Sequence, residues 1–301
     1  MKILILGSCG FIGRHLVNHL LVKKYDIVGC DIVTIGETTY PYYQISVLST
    51  DLEDIFSENQ FDICINASGA ANVSHSVLYP LSDFEANVFA VAKVLDIIRK
   101  QNSGCRYMHI SSAAVYGNPA TLPVKESTSL NPISPYGYHK LMSEIICKAY
   151  YNMFKIPVVI IRPFSIFGNG LRKQLLWDIC RKLKYHDVIT LYGTGHETRD
   201  FLHISDFIVL VETVFNKSRF CSETFNAASG KQTLISEIAR IFEKYYDGAK
   251  KITFNGESKK GDPFNWEADI EEIKKLGFSP EADLEISITE YIKWFNLYNE
   301  D

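Results

Sequence analysis

The sequence has no long apolar run: no stretch approaches the roughly 18 consecutive apolar residues of a membrane-spanning helix. The opening "MKILILG" is too short an apolar segment for a secretion signal, so the expectation is an unprocessed chain with no membrane partner. An excess of either charge is also missing. The 31 Lys and Arg against 35 Asp and Glu leave a net charge of -4, and basic clusters such as Lys259-Lys260 are short. That balance provides no broad positive field and argues against a nucleic-acid partner. Paired cysteines are absent as well. Cys9, Cys30, Cys64, Cys105, Cys147, Cys180 and Cys221 lie far apart with no C-x-x-C, and several fall inside apolar runs. They read as reduced thiols in a cytoplasmic protein. There is no internal repeat or low-complexity tract.

What is present is enough apolar material, 47% of 301 residues, for about two domain-sized units. Short apolar runs at Ile3 to Leu6, Ile27 to Cys30, Ile63 to Ala67, Tyr107 to Ile110 and Val158 to Ile161 have helical stretches between them. This alternation predicts a doubly wound parallel α/β sheet covered on both faces. Ile12, Leu16, Val17, Leu20 and Leu21 repeat at helical spacing, as do Phe84, Val88, Val91, Val94, Leu95 and Ile98. After Gly170 the elements shorten, with helices expected over Phe207 to Phe215, Ile235 to Tyr245 and Leu284 to Phe295. The expected organisation is a Rossmann-type cofactor domain over 1–170 and a smaller lobe over 171–301, with Thr224 to Ser229 as a possible strand returning to the first sheet.

In "ILILGSCGFIGRHL", Gly7, Gly10 and Gly13 fall where the first strand becomes the first helix. Glycines there allow a tight turn and let a pyrophosphate approach amides at a positively polarised helix N-terminus. Asp31 ends the next strand, 18 residues past Gly13. A carboxylate there accepts hydrogen bonds from a ribose diol and repels a 2′-phosphate, which favours NAD over NADP. An ordinary glycine turn and a strand-end aspartate are the plain alternatives.

The chain holds three Tyr-x-x-x-Lys pairs, Tyr136/Lys140, Tyr151/Lys155 and Tyr246/Lys250, so the spacing alone says little. In "SPYGYHK", Ser134 can cap a helix and Pro135 suits its first position, which puts Tyr136 and Lys140 one turn apart on one face. A nearby ammonium, a nicotinamide cation and a helix N-terminus would each stabilise a phenolate, so that Tyr136 could exchange protons near neutral pH. The alternative is that Lys140 pairs with Glu144. The other two pairs lack this setting and are expected on the surface. Ser111-Ser112 ends the fourth apolar run at the carboxyl edge of the sheet, where open α/β sheets bind ligands.

Taken in order, the glycine motif, Asp31, "SSAAVYG", "LNPISPYGYHK", "IRPFSIFGNG" and "TRDFLHISD" resemble the extended short-chain dehydrogenase/reductases, the nucleotide-sugar epimerases and dehydratases. The resemblance covers nearly the whole chain. It implies Ser112, Tyr136 and Lys140 as the catalytic group. It also implies an NAD site formed by Gly7, Gly10, Phe11, Ile12, Gly13, Asp31, Ala67, Ser68 and Gly69 together with Tyr136 and Lys140. Ala70 and Ala71, next in that loop, are assigned no chemistry. Arg199 matches the family arginine that grips the substrate diphosphate, and a guanidinium fork suits that anion. Ser112 and Ser165 are further substrate contacts, Ser165 replacing the family's usual asparagine. Lys259 falls near a second diphosphate-binding arginine, and Ser46 stands where an aspartate usually meets the adenine. The helices Phe84 to Arg99 and Tyr136 to Tyr151 are those that pair across homodimers in this family, although their stripes equally suit an ordinary core.

Sugar 4,6-dehydratases need a further acid and base, and in that branch Asp and Glu follow the catalytic hydroxyl. Here Ala113 and Ala114 follow Ser112, which also argues against the related decarboxylases. The expected activity is an NAD-dependent nucleotide-sugar 4-epimerase acting through a 4-keto intermediate. The alternatives are a 4-keto-6-deoxysugar reductase and, more distantly, a dinucleotide-sensing regulator. Neither the sugar nor its nucleotide can be named from these motifs. His15 and His19 share a helix face without any further ligand pattern, so no metal is expected. Glu126, in the proline-rich loop, reads as a loop carboxylate.

Overall fold

The computed structural model describes residues 1–46, 51–257 and 263–298. The apolar runs become β1 (Lys2–Leu6), β2 (Asp26–Asp31), β4 (Ile63–Asn66), β5 (Arg106–Ile110) and β6 (Val158–Pro163), with a short β3 (Tyr42–Gln44) at the edge. Further along are β7 (Ser165–Phe167), β8 (Val188–Leu191), β9 (Thr198–Arg199), β10 (Phe201–His203), β11 (Cys221–Ala227), β12 (Thr233–Leu234) and β13 (Lys251–Phe254). The helices are α1 (Phe11–Val22), α2 (Asp51–Glu58), α3 (Val73–Leu78), α4 (Pro80–Phe84), α5 (Ala90–Gln101), α6 (Pro135–Phe154), α7 (Gln174–Tyr185), α8 (Ile204–Lys217), α9 (Ile235–Tyr245), α10 (Glu271–Lys275) and α11 (Leu284–Leu297). A π-turn over Glu85–Phe89 joins α4 to α5, and a 3-10 turn covers Ala113–Tyr116.

Seven strands form one parallel sheet in the order β11-β6-β5-β4-β1-β2-β3. Because strand side chains alternate between faces, Ile3 and Ile5 pack with Leu16 and Leu20 of α1 and Phe207 of α8, whereas Leu4 and Leu6 pack with Phe56 of α2, Leu95 of α5 and Cys147 of α6. A sheet covered on both faces needs apolar residues at every position, which is why these strands read as unbroken runs. The chain is an α/β protein with a Rossmann-type doubly wound sheet. Residues 204–227 return to this sheet, α8 against α1 and β11 beside β6. A third core joins Ile179 and Leu183 of α7, Ile238 and Phe242 of α9 and Ile288 and Tyr291 of α11, whereas Trp266, Ile273 of α10 and Phe278 pack into the first core beside β11.

One polar chain crosses the buried interior. Arg162 of β6 grips Glu144 of α6 through two hydrogen bonds, Nε to Oε1 at 2.9 Å and a terminal nitrogen to Oε2 at 2.7 Å. Ser111 donates to the same Oε1 at 2.6 Å, Arg162 donates to the Tyr116 hydroxyl at 2.7 Å, and Tyr116 donates to Asn226 of β11 at 2.7 Å. The network ties α6, the end of β5 and the edge strand β11 to one guanidinium. Arg162→Met would leave Glu144 as a buried unpaired charge and is expected to lower unfolding free energy by about 3–5 kcal/mol. Urea unfolding should show this loss, and the double variant Arg162→Met/Glu144→Leu should regain most of it.

Candidate active site

The strand order reverses direction between β1 and β4, and parallel register pairs Leu6 with both Cys30 and Asn66. The residues that follow, Gly7, Asp31 and Ala67, therefore come together at one sheet edge, where open α/β sheets bind ligands. Gly7 N–H donates to the Cys30 carbonyl at 2.8 Å, and Gly10 N–H donates to the Gly7 carbonyl at 3.0 Å. A Cβ at Gly13 would stand 2.0 Å from that Gly7 oxygen, so only glycine lets α1 start this close to the turn. Gly10 caps α1 without a side-chain hydrogen bond. The first-turn amides, which include those of Phe11 and Ile12, lack intrahelical acceptors and face no competing cap. The side chains of Phe11 and Ile12 pack against the core.

Asp31 accepts from Cys9 N–H at 2.8 Å on one oxygen and from Ile32 N–H at 2.7 Å on the other. A carboxylate offers about four lone-pair sites. Two are used to tie the strand end to the glycine turn, and the others suit a ribose diol. Ser68 donates its N–H and its hydroxyl to Asn66 Oδ1, at 3.1 and 2.6 Å, which fixes the loop from Ala67 to Gly69 beside the turn. The residues present therefore fit a dinucleotide: a close-packed turn, open helix-end amides and a carboxylate with spare acceptors.

At the other end of the site, Ser134 caps α6 by accepting from Gly137 N–H at 3.1 Å, and Pro135 takes the first helical position. A Cβ at Gly137 would lie 2.7 Å from the Ala114 carbonyl, so glycine lets α6 close on the 3-10 turn that begins after Ser112. This contact brings Ser112, Tyr136 and Lys140 together. Ser112 accepts from Ala114 N–H at 3.1 Å, and its hydroxyl favours the ionised form of the Tyr136 phenol. Lys140 is buried, with Nζ donating to the Ile110 carbonyl at 3.1 Å and lying 6.0 Å from the centre of the Tyr136 ring. Glu144 is bound to Arg162 and Ser111, so pairing with Lys140 is not its role.

The electrostatics differ from the expectation that neighbouring groups acidify the phenol. Burial pushes Tyr136 up to about 12; the Ser112 hydroxyl opposes this and the Asp83 charge adds to it. Burial also pulls Lys140 down to about 8, against the carboxylates of Asp83 and Glu144. Desolvation disfavours whichever form is charged, so both groups are drawn towards neutrality. A further positive charge beside the ring is needed before the phenol can ionise near neutral pH.

Ser112, Tyr136, Ser165 and Arg199 line one cleft of about 640 Å³, within the usual size range of ligand pockets. Arg172, Lys173, Arg181 and Lys182 also border it, against the acidic Asp178 and Glu197, so it carries an excess of positive charge. Arg199 donates to the Thr198 and Phe264 carbonyls at 2.8 and 3.3 Å and lies over Trp266, 5.7 Å from the ring centre. Lys259 lies outside the described residues. The sequence patterns did not point to Arg172 and Lys173 on the cleft wall, to Ser76, whose hydroxyl accepts from Tyr136 N–H at 3.1 Å, or to the paired Asp83 and His139. Only His139 carried a signal, lying within "SPYGYHK" itself.

The remaining candidates fall elsewhere. His15 approaches the Asn169 carbonyl at 2.9 Å and His19 approaches Glu212 at 2.6 Å, so each ties α1 to a neighbour. No group of three or more metal-ligating side chains occurs among the described residues. Glu126 accepts from Asn226 N–H at 2.9 Å as part of the interior network. The Tyr246/Lys250 pair is not on the surface: Tyr246, which caps the C-terminus of α9, is buried in the third core and donates to the Cys180 carbonyl. Lys155 instead ends α6 in a left-handed conformation.

Gly13→Ala forces the turn to shift, an overpacking of about 1–3 kcal/mol. NADH affinity, followed by cofactor fluorescence, is expected to fall about tenfold or more, with far-UV circular dichroism unchanged.

Comparison with known proteins agrees with this geometry. A Bacillus subtilis protein named as an uncharacterized UDP-glucose epimerase is 29% identical over 321 residues, with 98% of each chain covered. The UDP-glucose 4-epimerase of Streptococcus mutans is 27% identical over 328 residues, covering 99% of this chain and 98% of its own. The crystal structure of the UDP-glucuronic acid 4-epimerase of Bacillus cereus, in complex with UDP-glucuronic acid and NAD, superposes with a TM-score of 0.90 at 26% identity, covering 99% of both chains. The profile of the NAD dependent epimerase/dehydratase family matches residues 3–228, three quarters of the sequence, and the chain belongs to that family.

Proposed function

We propose that the protein is an NAD-dependent nucleotide-sugar 4-epimerase that works through a transient 4-keto sugar. The observation that carries this reading is the cleft whose walls Ser112, Tyr136 and the Arg199 guanidinium share. Gly7, Gly10, Phe11, Ile12 and Gly13 would hold the pyrophosphate through amides, Asp31 the adenosine ribose, and Ala67 to Gly69 the near wall. Lys140 would hold the nicotinamide ribose. Arg199 would grip the substrate diphosphate with its planar fork, and Ser165 would contact the sugar. The relatives named as UDP-sugar epimerases support a uridine diphosphate carrier.

Bound NAD would supply a reversible hydride acceptor at the sugar carbon and a positive charge beside the phenol. Tyr136 takes the proton of the C4 hydroxyl and later gives it back. Ser112 holds the same oxygen, and the Lys140 ammonium stabilises the phenolate. The buried site restricts water, which keeps the reactive ketone from exchange with solvent. Ala113 and Ala114 beside Ser112 provide no acid or base for expelling a second hydroxyl, which disfavours dehydration.

Tyr136→Phe removes the proton carrier and is expected to lower turnover by about 10²–10⁴-fold, with far-UV circular dichroism unchanged. A panel of UDP-, GDP-, CDP- and dTDP-sugars with product identification tests the reading. Inversion at C4 without net cofactor oxidation is the expected result. Stoichiometric oxidation of added NADH by a keto-sugar would replace the epimerase with the reductase.

We further propose a cytoplasmic homodimer. The seven free cysteines support a reducing compartment. Tyr138, Met142 and Ile145 form an exposed stripe at i, i+4 and i+7 of α6, with Phe89 exposed on the segment leading into the adjoining α5. Two copies could bury these stripes together. The variant Met142→Glu/Ile145→Glu is expected to halve the mass measured by light scattering; an unchanged mass would rule out this interface.

A further inference from the structure

Asp200 links β9 to β10 and follows Arg199 directly in the chain. It is fully buried, and four donors converge on its carboxylate. Oδ1 accepts from the N–H and the hydroxyl of Ser229, both at 2.7 Å, and Oδ2 accepts from the N–H groups of Gly230 at 3.0 Å and Ala268 at 3.1 Å. A carboxylate offers about four lone-pair sites, so this one is filled. Asp31 keeps acceptors spare for a ligand, whereas Asp200 acts through the segments it holds. Burial pushes its carboxyl up to about 6, with the Ser229, Ala268 and Gly230 donors opposing, so the group is ionised at neutral pH.

Those segments build the walls of the cleft. The Asp200 carbonyl accepts from Ser165 N–H at 3.0 Å, where β7 pairs with β10. Phe264 and Trp266 run alongside β9: Thr198 N–H donates to the Phe264 carbonyl and Trp266 N–H donates to the Thr198 carbonyl, each at 3.2 Å. The next anchor of that segment is Ala268, held by Asp200 and bridged to Val124. Trp266 lies against the Arg199 guanidinium and donates its indole N–H to the Gly117 carbonyl at 3.2 Å, at the end of the turn that begins after Ser112. The indole therefore stands between the Arg199 fork and the Ser112 turn, and the Asp200 carboxylate fixes the chain two residues beyond it.

We propose that Asp200 is a positioning residue for substrate grip: its carboxylate clamps the segment behind Trp266 and the segment after β11 to the link between β9 and β10, so that Arg199, Ser165 and Trp266 keep one spacing along the cleft. The inference rests on the reading of Arg199 as the ligand of the substrate diphosphate. Neither proton nor hydride passes through Asp200. Its loss therefore weakens ground state and transition state alike, which raises KM and leaves kcat.

Asp200→Asn keeps the size of the side chain but turns one acceptor oxygen into an NH2 donor, which then faces other donors whichever way it lies. In NADH-saturated protein, the Kd of UDP measured by isothermal titration calorimetry is expected to rise about tenfold or more. Inorganic pyrophosphate, titrated in parallel, should weaken in the same way. KM for the UDP-sugar should rise with the UDP Kd while kcat stays within about threefold. A merely structural contact would instead lower the fraction of competent protein, seen as reduced stoichiometry and kcat at unchanged Kd and KM. An unchanged UDP Kd in Asp200→Asn overturns the proposal and leaves the epimerase reading standing. A raised Kd in a protein that epimerises no nucleotide sugar supports the clamp and removes the epimerase. Wild-type protein that binds neither UDP nor pyrophosphate overturns the clamp together with the reading of Arg199. Should Asp200→Asn fail to fold, Ser229→Ala removes one of the four donors and is expected to weaken UDP about threefold, with Ser229→Thr regaining the affinity; no change in Ser229→Ala overturns the proposal equally.

Discussion

Parallel pairing at the centre of the sheet is the constraint on which the site depends. Parallel strands align their carboxyl ends when the register is kept, and Leu6 keeps it with Cys30 on one side and Asn66 on the other. The glycine turn, Asp31 and the loop after β4 then meet at one edge because three strands stop together. Dense burial on both faces leaves no freedom to slip: a one-residue shift would bring Ile3 and Ile5 to the face built for Leu4 and Leu6.

The second theme is the cost of placing ionisable groups where water is scarce. The phenol of Tyr136 and the ammonium of Lys140 are both driven towards their neutral forms by burial. Proton exchange therefore requires charges from outside the pair. Buried groups around it are arranged in fixed hydrogen bonds, Ser111 to Glu144, Glu144 to Arg162, and Asp83 to His139, which hold their dipoles in place instead of letting them reorient with each step.

Much of this was legible in the order of residues. The glycines, Asp31 and the capped "SPYGYHK" helix are local patterns, and local geometry follows from local sequence: Ser134 caps, Pro135 starts the helix, and the i, i+4 spacing does the rest. The expected helices over Ile235 to Tyr245 and Leu284 to Phe295 match α9 and α11: Ile235, Ile238, Ala239 and Phe242, and Ile288, Tyr291, Ile292 and Phe295, each recur at helical spacing. Other features depended on contacts far apart in the chain. Arg162 and Glu144 are unremarkable as single letters, and the burial of Tyr246 follows from where α9 packs. The direction of the Tyr136 shift is of the same kind, since a spacing rule reports proximity to a lysine but not the loss of water.

By itself, then, the sequence determined the strand runs, the glycine turn and the helix caps, and it pointed to the groups proposed to bind a dinucleotide and move a proton, because each depends on neighbours within a few residues. Tertiary structure alone decided that α8 packs on α1, that Glu144 is bound by Arg162 and leaves Lys140 to Ile110, and that Asp83 stands against His139 of α6. The reason is physical: burial and long-range charge are properties of the packed assembly, and no short stretch of chain carries them.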